Sequence, residues 1–313
     1  MTRQAIIIDT DPGQDDAIAI LLALGSPDEL ELLGLTTVAG NVPLPLTSRN
    51  ARIVLELARR RDIPVYAGAE RPLLRPLVTA EFVHGKTGLD GPQLPEPTMP
   101  LAAGHAVDFI IDTLMARAPG TVTLCPLGPL TNIALALAKA PQIAARIQRI
   151  VLMGGGCFEG GNITPAAEFN FYVDPHAAAL VFASGVPITM APLDVTHQAL
   201  TTRKRVAALR DLATPVGETV AQWMEFFERF DEQKYGQEGG PLHDPCVIAW
   251  LLKPGLFSGR DCHVAIETQS ELTLGMSVID WWGVTGKPAN AHVLGGIDAE
   301  GFFALIAERL ARL

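Results

Sequence analysis

Residues 5–24 read Ala-Ile-Ile-Ile-Asp-Thr-Asp-Pro-Gly-Gln-Asp-Asp-Ala-Ile-Ala-Ile-Leu-Leu-Ala-Leu. The apolar run Ala5–Ile8 has the length and β-branching of a buried strand, and Asp16–Leu24 reads as the helix that follows it. A strand turning directly into a helix is the opening of a βαβ unit. Between the two, Asp9, Asp11, Asp15 and Asp16 place four carboxylates in eight residues. Like charges this close repel, so in a folded state they stay in water, take raised pKa values or share a cation. A simpler account makes Asp15 or Asp16 the helix N-cap and Pro12-Gly13 a turn that collects aspartate. Capping accounts for one aspartate or two, not for four.

Outward from this unit, short apolar runs alternate with helical patterns, the mark of a largely parallel sheet. Strands are expected at Ile6–Asp9, Leu32–Val38, Val65–Ala67, Val122–Cys125, Ile150–Met153 and Ile188–Ala191. Helices are expected at Asp16–Leu24, Arg49–Arg60, Ala106–Ala116, Leu130–Ala138, Pro175–Ser184, Thr202–Leu212, Val216–Phe230, Pro245–Leu252 and Phe302–Leu313. Pieces at His263–Glu267, Ser277–Asp280 and His292–Leu294 read as antiparallel additions to one side. The fold class expected is therefore α/β: one domain over 1–313, with a mostly parallel open sheet flanked by helices. Residues 72–100 and 231–243 lack a sustained period and read as long loops, the usual material of lids and binding segments. In an open parallel sheet, ligands bind beyond the carboxyl ends of the strands, and the acidic cluster stands at such an end.

Bulk properties narrow the function classes. The chain has 313 residues, 48% hydrophobic and 19% charged, with no apolar run of membrane-spanning length. A net charge of −10 and a pI near 5.2 supply no basic footprint for nucleic acid or an anionic membrane. Met1–Gln4 lead straight into a strand without the apolar core of a signal peptide, so a cytoplasmic location is expected. Cys125, Cys157, Cys246 and Cys262 are widely spaced, which reads as four buried thiols and neither a zinc cluster nor a redox pair.

Several polar groups fall where they can join the cluster. Asn41 follows the second strand, although a turn cap explains it equally. Asn162, Glu168 and Asn170 follow Gly154-Gly155-Gly156 with the donors and acceptors that hold sugar hydroxyls, although loop polarity alone accounts for them. Asp244 is placed as an N-cap with Pro245 first in its helix, a position from which a carboxylate also ligates a cation; His243 beside it is a candidate proton donor. The turn at Leu127-Gly128-Pro129 can turn a backbone carbonyl beyond the strand end, and hard cations accept carbonyl oxygen.

These residues resemble a known family, the nucleoside hydrolases, especially the inosine–uridine-preferring and pyrimidine-preferring ribonucleoside hydrolases. The resemblance is carried by DTDPGQDD from Asp9, VAGN ending at Asn41, HGKTGLDG from His84, GPLTNIA from Gly128, MGGG from Met153, GNITPAAEFNFYVDP from Gly161 and HDPCVIAWL from His243. It covers the chain to about residue 252 and is loose over the last sixty.

The resemblance implies Ca²⁺ held by Asp11, Asp16, the Leu127 carbonyl and Asp244, and hydrolysis of the N-glycosidic bond of a ribonucleoside to ribose and free base. It implies Asp11 as the base that accepts the proton of the attacking water. Asp15, Asn41, Asn162, Glu168 and Asn170 are implied as ribose contacts, with Asp9 supporting the metal loop from behind. It further implies His243 as proton donor to the leaving base, His84 on a lid, and Tyr235 as the partner of His243 in pyrimidine-preferring members. A pyrimidine or mixed inosine–uridine preference and a homodimer or homotetramer complete what it implies. Two rival readings are a Mg²⁺-dependent phosphatase of the haloacid-dehalogenase type, which also opens on Asp-x-Asp but continues with Gly-Thr where this chain has Pro12-Gly13, and a nucleoside- or sugar-binding protein without turnover.

Overall fold

The computed structural model describes residues 3–235 and 239–313, the side chains of 228 and 230–235 excepted. Strand β1 (Gln4–Thr10) runs into helix α1 (Gln14–Leu24), followed by β2 (Leu30–Thr37), α2 (Leu44–Leu57) and β3 (Val65–Ala67). A single helical turn, α3 (Glu81–His84), precedes α4 (Ala106–Ala116), β4 (Val122–Pro126), α5 (Thr131–Lys139) and β5 (Ile147–Met153). Next come α6 (Phe169–Val173), α7 (Pro175–Phe182), β6 (Ile188–Ala191), α8 (Leu193–Thr196), α9 (Arg203–Arg210) and α10 (Pro215–Tyr235). The chain continues through α11 (Pro245–Leu252), β7 (Phe257–Ile266), β8 (Ser277–Asp280), β9 (Ala291–Ile297) and α12 (Ala299–Leu310).

One sheet takes in all these strands in the order β3-β2-β1-β4-β5-β6-β9-β7-β8. From β3 to β9 neighbouring strands are parallel, and β7 and β8 are added antiparallel. β1 is an interior strand, third in this order, and alternation of its side chains feeds two cores. Ile6 and Ile8 pack with α1, α2, α10, α11 and α12 on one face; Ala5 and Ile7 pack with α4, α5 and α7 on the other. Burial of each such isoleucine stabilises the fold by roughly 1.5–3 kcal/mol, which holds β1 in register from both sides. Every residue of α1 is buried; from Ala17 onward it is apolar all round, as expected of a buried helix.

This order has a functional consequence. The chain winds outward from β1 to β3, then crosses back to place β4 on the other side of β1. At such a reversal the loops leaving the two adjoining strands diverge and open a crevice at their carboxyl ends. The Asp9–Asp16 loop leaves β1 there, and the Leu127 turn leaves β4.

The fold corrects several expectations. α10 runs on to Tyr235 where a loop was expected from 231, because Glu232, Gln233 and Lys234 favour helix and no glycine occurs before Gly236. α2 begins at Leu44 rather than Arg49, its prolines being compatible with a first turn. α12 begins at Ala299, with Asp298 accepting the Gly301 N–H as cap. Residues 72–100 hold the short α3. β9 is parallel to β6, and the antiparallel pairs are those that β7 makes with β9 and with β8. Cys125, Cys246 and Cys262 are buried, whereas Cys157 is only half-buried. No helix among the described residues is long and apolar enough to cross a membrane.

Candidate active site

The acidic loop is held open by its own backbone. Gly13 precedes α1, and its N–H donates to Asp16 Oδ2 at 2.9 Å, while Thr10 Oγ1 donates to Asp16 Oδ1 at 2.5 Å. Asp16 thus sits three residues inside the cap; neither it nor Asp15 is the N-cap, because Gly13 takes that place. Asp11 is fixed differently. Its Oδ2 accepts the Asn41 N–H at 2.7 Å, and its buried Oδ1 has no hydrogen-bond partner among the described residues. Gly40 and Gly128 flank this carboxylate so closely that a Cβ on either would overlap one of its oxygens.

Asp244 completes the cluster from more than two hundred residues away. It stands before α11 but its carboxylate caps nothing, contrary to the capping role expected, and is free to face the acidic loop. Asp15, Asp16 and Asp244, all buried, each bring one oxygen within 4.8 Å of the others. Burial, then the charge of Asp16, raises the Asp15 carboxyl to about 8. Burial followed by the charge of Asp16 pushes Asp11 well above the carboxylate range; for Asp244 the order is burial, then Asp15, Asp16 and Asp11. Four water-stripped carboxyls cannot all ionise against one another, and a divalent cation among them reverses that penalty. The partnerless Asp11 Oδ1 and the all-oxygen donor set fit a hard cation such as Ca²⁺.

Behind the cluster, Asp9 Oδ1 accepts from Thr36 Oγ1 at 2.5 Å and Asn132 Nδ2 at 2.8 Å. Burial pushes its carboxyl up to about 7. Asp9 is therefore a brace between β1, β2 and α5. Asn41 Nδ2 reaches Asp11 O and Asp16 Oδ2, both at 3.2 Å.

The opposite wall comes from β4, β5 and α6. Asn170 Nδ2 donates to the Leu127 carbonyl at 2.7 Å and to the Met153 carbonyl at 3.2 Å. Glu168 caps α6, accepting the N–H groups of Asn170 at 2.9 Å and Phe171 at 3.3 Å, together with that of Gly155 at 2.9 Å. Burial raises Glu168 to about 7 against these hydrogen bonds. Asn162 Oδ1 accepts the Phe169 N–H at 2.9 Å. Asn162, Glu168 and Asn170 therefore shape the wall as well as line it.

These groups line one cavity, bounded by Asp15, Asn41, His84, Leu127, Asn162, Glu168, Asn170, His243 and Asp244, with Phe227 and His197. This mix of apolar wall with convergent polar groups suits a small ligand. His243 Nδ1 is 2.8 Å from Thr196 Oγ1. His84 is buried in α3, its Nδ1 2.6 Å from Gln14 Oε1, and burial lowers its pKa to about 4, so the ring is neutral. Phe227 from α10 stands between the two histidines, stacked near His84 at 5.6 Å and edge-on to His243 at 6.4 Å. The side chain of Tyr235 lies outside the described residues.

Phe227, His197, Thr196, Gln14, Gly40 and Gly128 were not singled out from sequence. A phenylalanine in an amphipathic helix carries no local sign of facing a site, and the glycines are legible only once Asp11 is seen between them. Gln14 stood within the acidic stretch but bears no charge to mark it.

A family model described as inosine-uridine preferring nucleoside hydrolase matches residues 6–304. An uncharacterized protein of Schizosaccharomyces pombe is 58% identical over 98% of this chain and 99% of its own length. The pyrimidine-specific ribonucleoside hydrolase RihA of Shewanella sp. (strain ANA-3) is 54% identical, over 98% of this chain and 96% of its own. Among solved structures, a purine-preferring ribonucleoside hydrolase from Gardnerella vaginalis superposes with a TM-score of 0.91 at 34% identity, covering 98% of both chains.

Proposed function

The chain belongs to the inosine-uridine preferring nucleoside hydrolase family and is a ribonucleoside hydrolase, and on that premise we propose that it is Ca²⁺-dependent, with a pyrimidine or mixed inosine–uridine preference. Family membership sets aside the phosphatase and non-catalytic readings. The observation that carries the proposal is the buried group Asp11, Asp15, Asp16 and Asp244 with an unpartnered Asp11 oxygen. Asp11, Asp16, Asp244 and the Leu127 carbonyl would hold the ion, with Asp15 close enough to join them. When bound, Ca²⁺ supplies the positive charge that keeps these carboxylates ionised and makes an adjacent water more acidic.

The protein's own groups then divide the work. Asn41 engages one oxygen of Asp11, leaving the other to take a proton from the attacking water. The water oxygen bonds to the anomeric carbon as the bond from that carbon to the base nitrogen breaks. Asp15, Asn41, Asn162, Glu168 and Asn170 hold the ribose hydroxyls and fix the sugar against the attack. His243, steadied by Thr196, donates the proton that the departing base needs. His84 and Phe227 cover the base and keep bulk water from it. A pyrimidine preference is supported by the name of the Shewanella relative; the Gardnerella enzyme, more distant, is named for purines. We read the protein further as a cytoplasmic homodimer or homotetramer, to be tested by sedimentation, and its charge of −10 disfavours nucleic-acid partners.

The test is base release from a panel of uridine, cytidine, inosine and adenosine before and after chelation. Activity that vanishes on chelation and returns with Ca²⁺ supports the reading, and chelator-resistant turnover overturns the metal. Asp11→Ala should lower turnover by at least the 10²–10⁴-fold that general-base catalysis contributes, and near wild-type hydrolysis by this variant would sink the mechanism.

A further inference from the structure

His84 meets the acidic loop through a single side chain. Its ring packs over Gly13, where a Cβ would overlap the imidazole, and its Nδ1 stands 2.6 Å from Gln14 Oε1. The Gln14 carboxamide cannot be turned over, because Nε2 faces two carbonyls, His84 O and Asp90 O, each at 3.0 Å. Carbonyls only accept, so reversal would set Oε1 against both. Gln14 therefore offers Nδ1 an acceptor, and Nδ1 must carry the ring proton. In a neutral imidazole the other nitrogen is then bare, and among the described residues nothing donates to His84 Nε2.

We infer that Gln14 holds His84 as the Nδ1–H tautomer, making His84 an acceptor-only specificity residue that takes an N–H from the bound nucleobase. The inference rests on the cavity being the ribonucleoside site, and it separates the two histidines: His84 reads the base, and proton donation is left to His243. The base rather than the ribose is the partner because His84 belongs to the aromatic wall with Phe227, which matches a planar ring, whereas hydroxyl-binding groups line the acidic side. Uridine presents N3–H and cytidine its exocyclic amine, whereas N3-methyluridine has no base N–H. Gln14 touches no substrate in this scheme and acts as a positioning residue.

The tautomer is read directly by ¹⁵N NMR of the histidine side chains in the intact protein, with His84 assigned by the signals lost in His84→Phe. Protonated Nδ1 and bare Nε2 in the wild type, giving way to Nε2–H or a mixture in Gln14→Met, is the expected result. An Nε2-protonated His84 in the wild type, or a tautomer unmoved by Gln14→Met, overturns the assignment. For the base contact, the ratio of kcat/KM for uridine to that for N3-methyluridine should be about 10- to 100-fold in the wild type, the worth of one buried hydrogen bond. It should shrink to a few-fold in His84→Phe, and an equal ratio in both proteins overturns the contact. Base release from no ribonucleoside at all overturns the substrate reading, and the base contact with it, whereas the NMR result judges the tautomer independently.

Discussion

Asn170 donates its side-chain amide to the backbone carbonyl of Leu127 at 2.7 Å. The bond joins α6 to the turn after β4, and the same amide also reaches the Met153 carbonyl at the end of β5. A carbonyl oxygen has two lone pairs, so one can serve Asn170 while the other serves a cation. The amide thereby orients the carbonyl proposed as a backbone ligand.

Asn170→Ala should weaken Ca²⁺ binding by about 10–100-fold, the usual cost of removing a group that orients a metal ligand. Calorimetric titration of the chelated protein with Ca²⁺ measures it. Unchanged affinity alongside reduced turnover would assign Asn170 to the sugar alone.

Gly128→Ala should approach the loss of Asp11→Ala while leaving Asp11 in place, because the new methyl overlaps the Asp11 carboxylate. Gly255→Ala serves as the control, since a Cβ there meets nothing within 4 Å. Base release by both variants, with circular dichroism to establish folding, decides the matter; full activity in Gly128→Ala would refute the steric argument.

The pH dependence of stability should carry a contribution from Glu168, read in protein saturated with Ca²⁺ so that the acidic cluster stays ionised. Burial raises this carboxyl from 4.5 to about 7, so the folded chain keeps a proton that the unfolded chain releases. Its stabilising effect is complete below about pH 4.5 and is lost as pH rises through about 7. At roughly 1.4 kcal/mol per pKa unit, the difference is on the order of 3 kcal/mol. Denaturant melts from pH 4.5 to 7.5 should give a flatter profile for Glu168→Gln than for the wild type, and parallel profiles would remove Glu168 from the account.

His243→Ala should cost more with uridine than with inosine if it protonates the leaving base of the substrate class proposed. Steady-state rates on both nucleosides measure this. Equal small losses would show that the base leaves without it.

Much of the fold was legible because its signals are local. Ala5–Ile8 reads as a buried strand from apolarity alone, and α1 reads as buried because no polar stripe interrupts it beyond its first turn. Where reading failed, packing or pairing overrode the local pattern. α10 passes the position where its apolar period ends, and β9 joins β6 in parallel although its short strand resembles its antiparallel neighbours. Asp244 looked like a cap because Asp-Pro usually is one; its carboxylate instead turns to the acidic cluster.

By itself the chain determined the strand–turn–helix opening, the crowding of Asp9, Asp11, Asp15 and Asp16, and, through its ordered motifs, the family. These follow from residue type and short spacing, which act within a few ångströms along the backbone. Only the tertiary structure decided that Asp244 meets Asp15 and Asp16, that Gly40 and Gly128 leave room for the Asp11 oxygens, and that Gln14 meets the His84 ring. The crossover beside β1 brings these distant groups together, and burial there makes a shared charge costly enough to call for a cation.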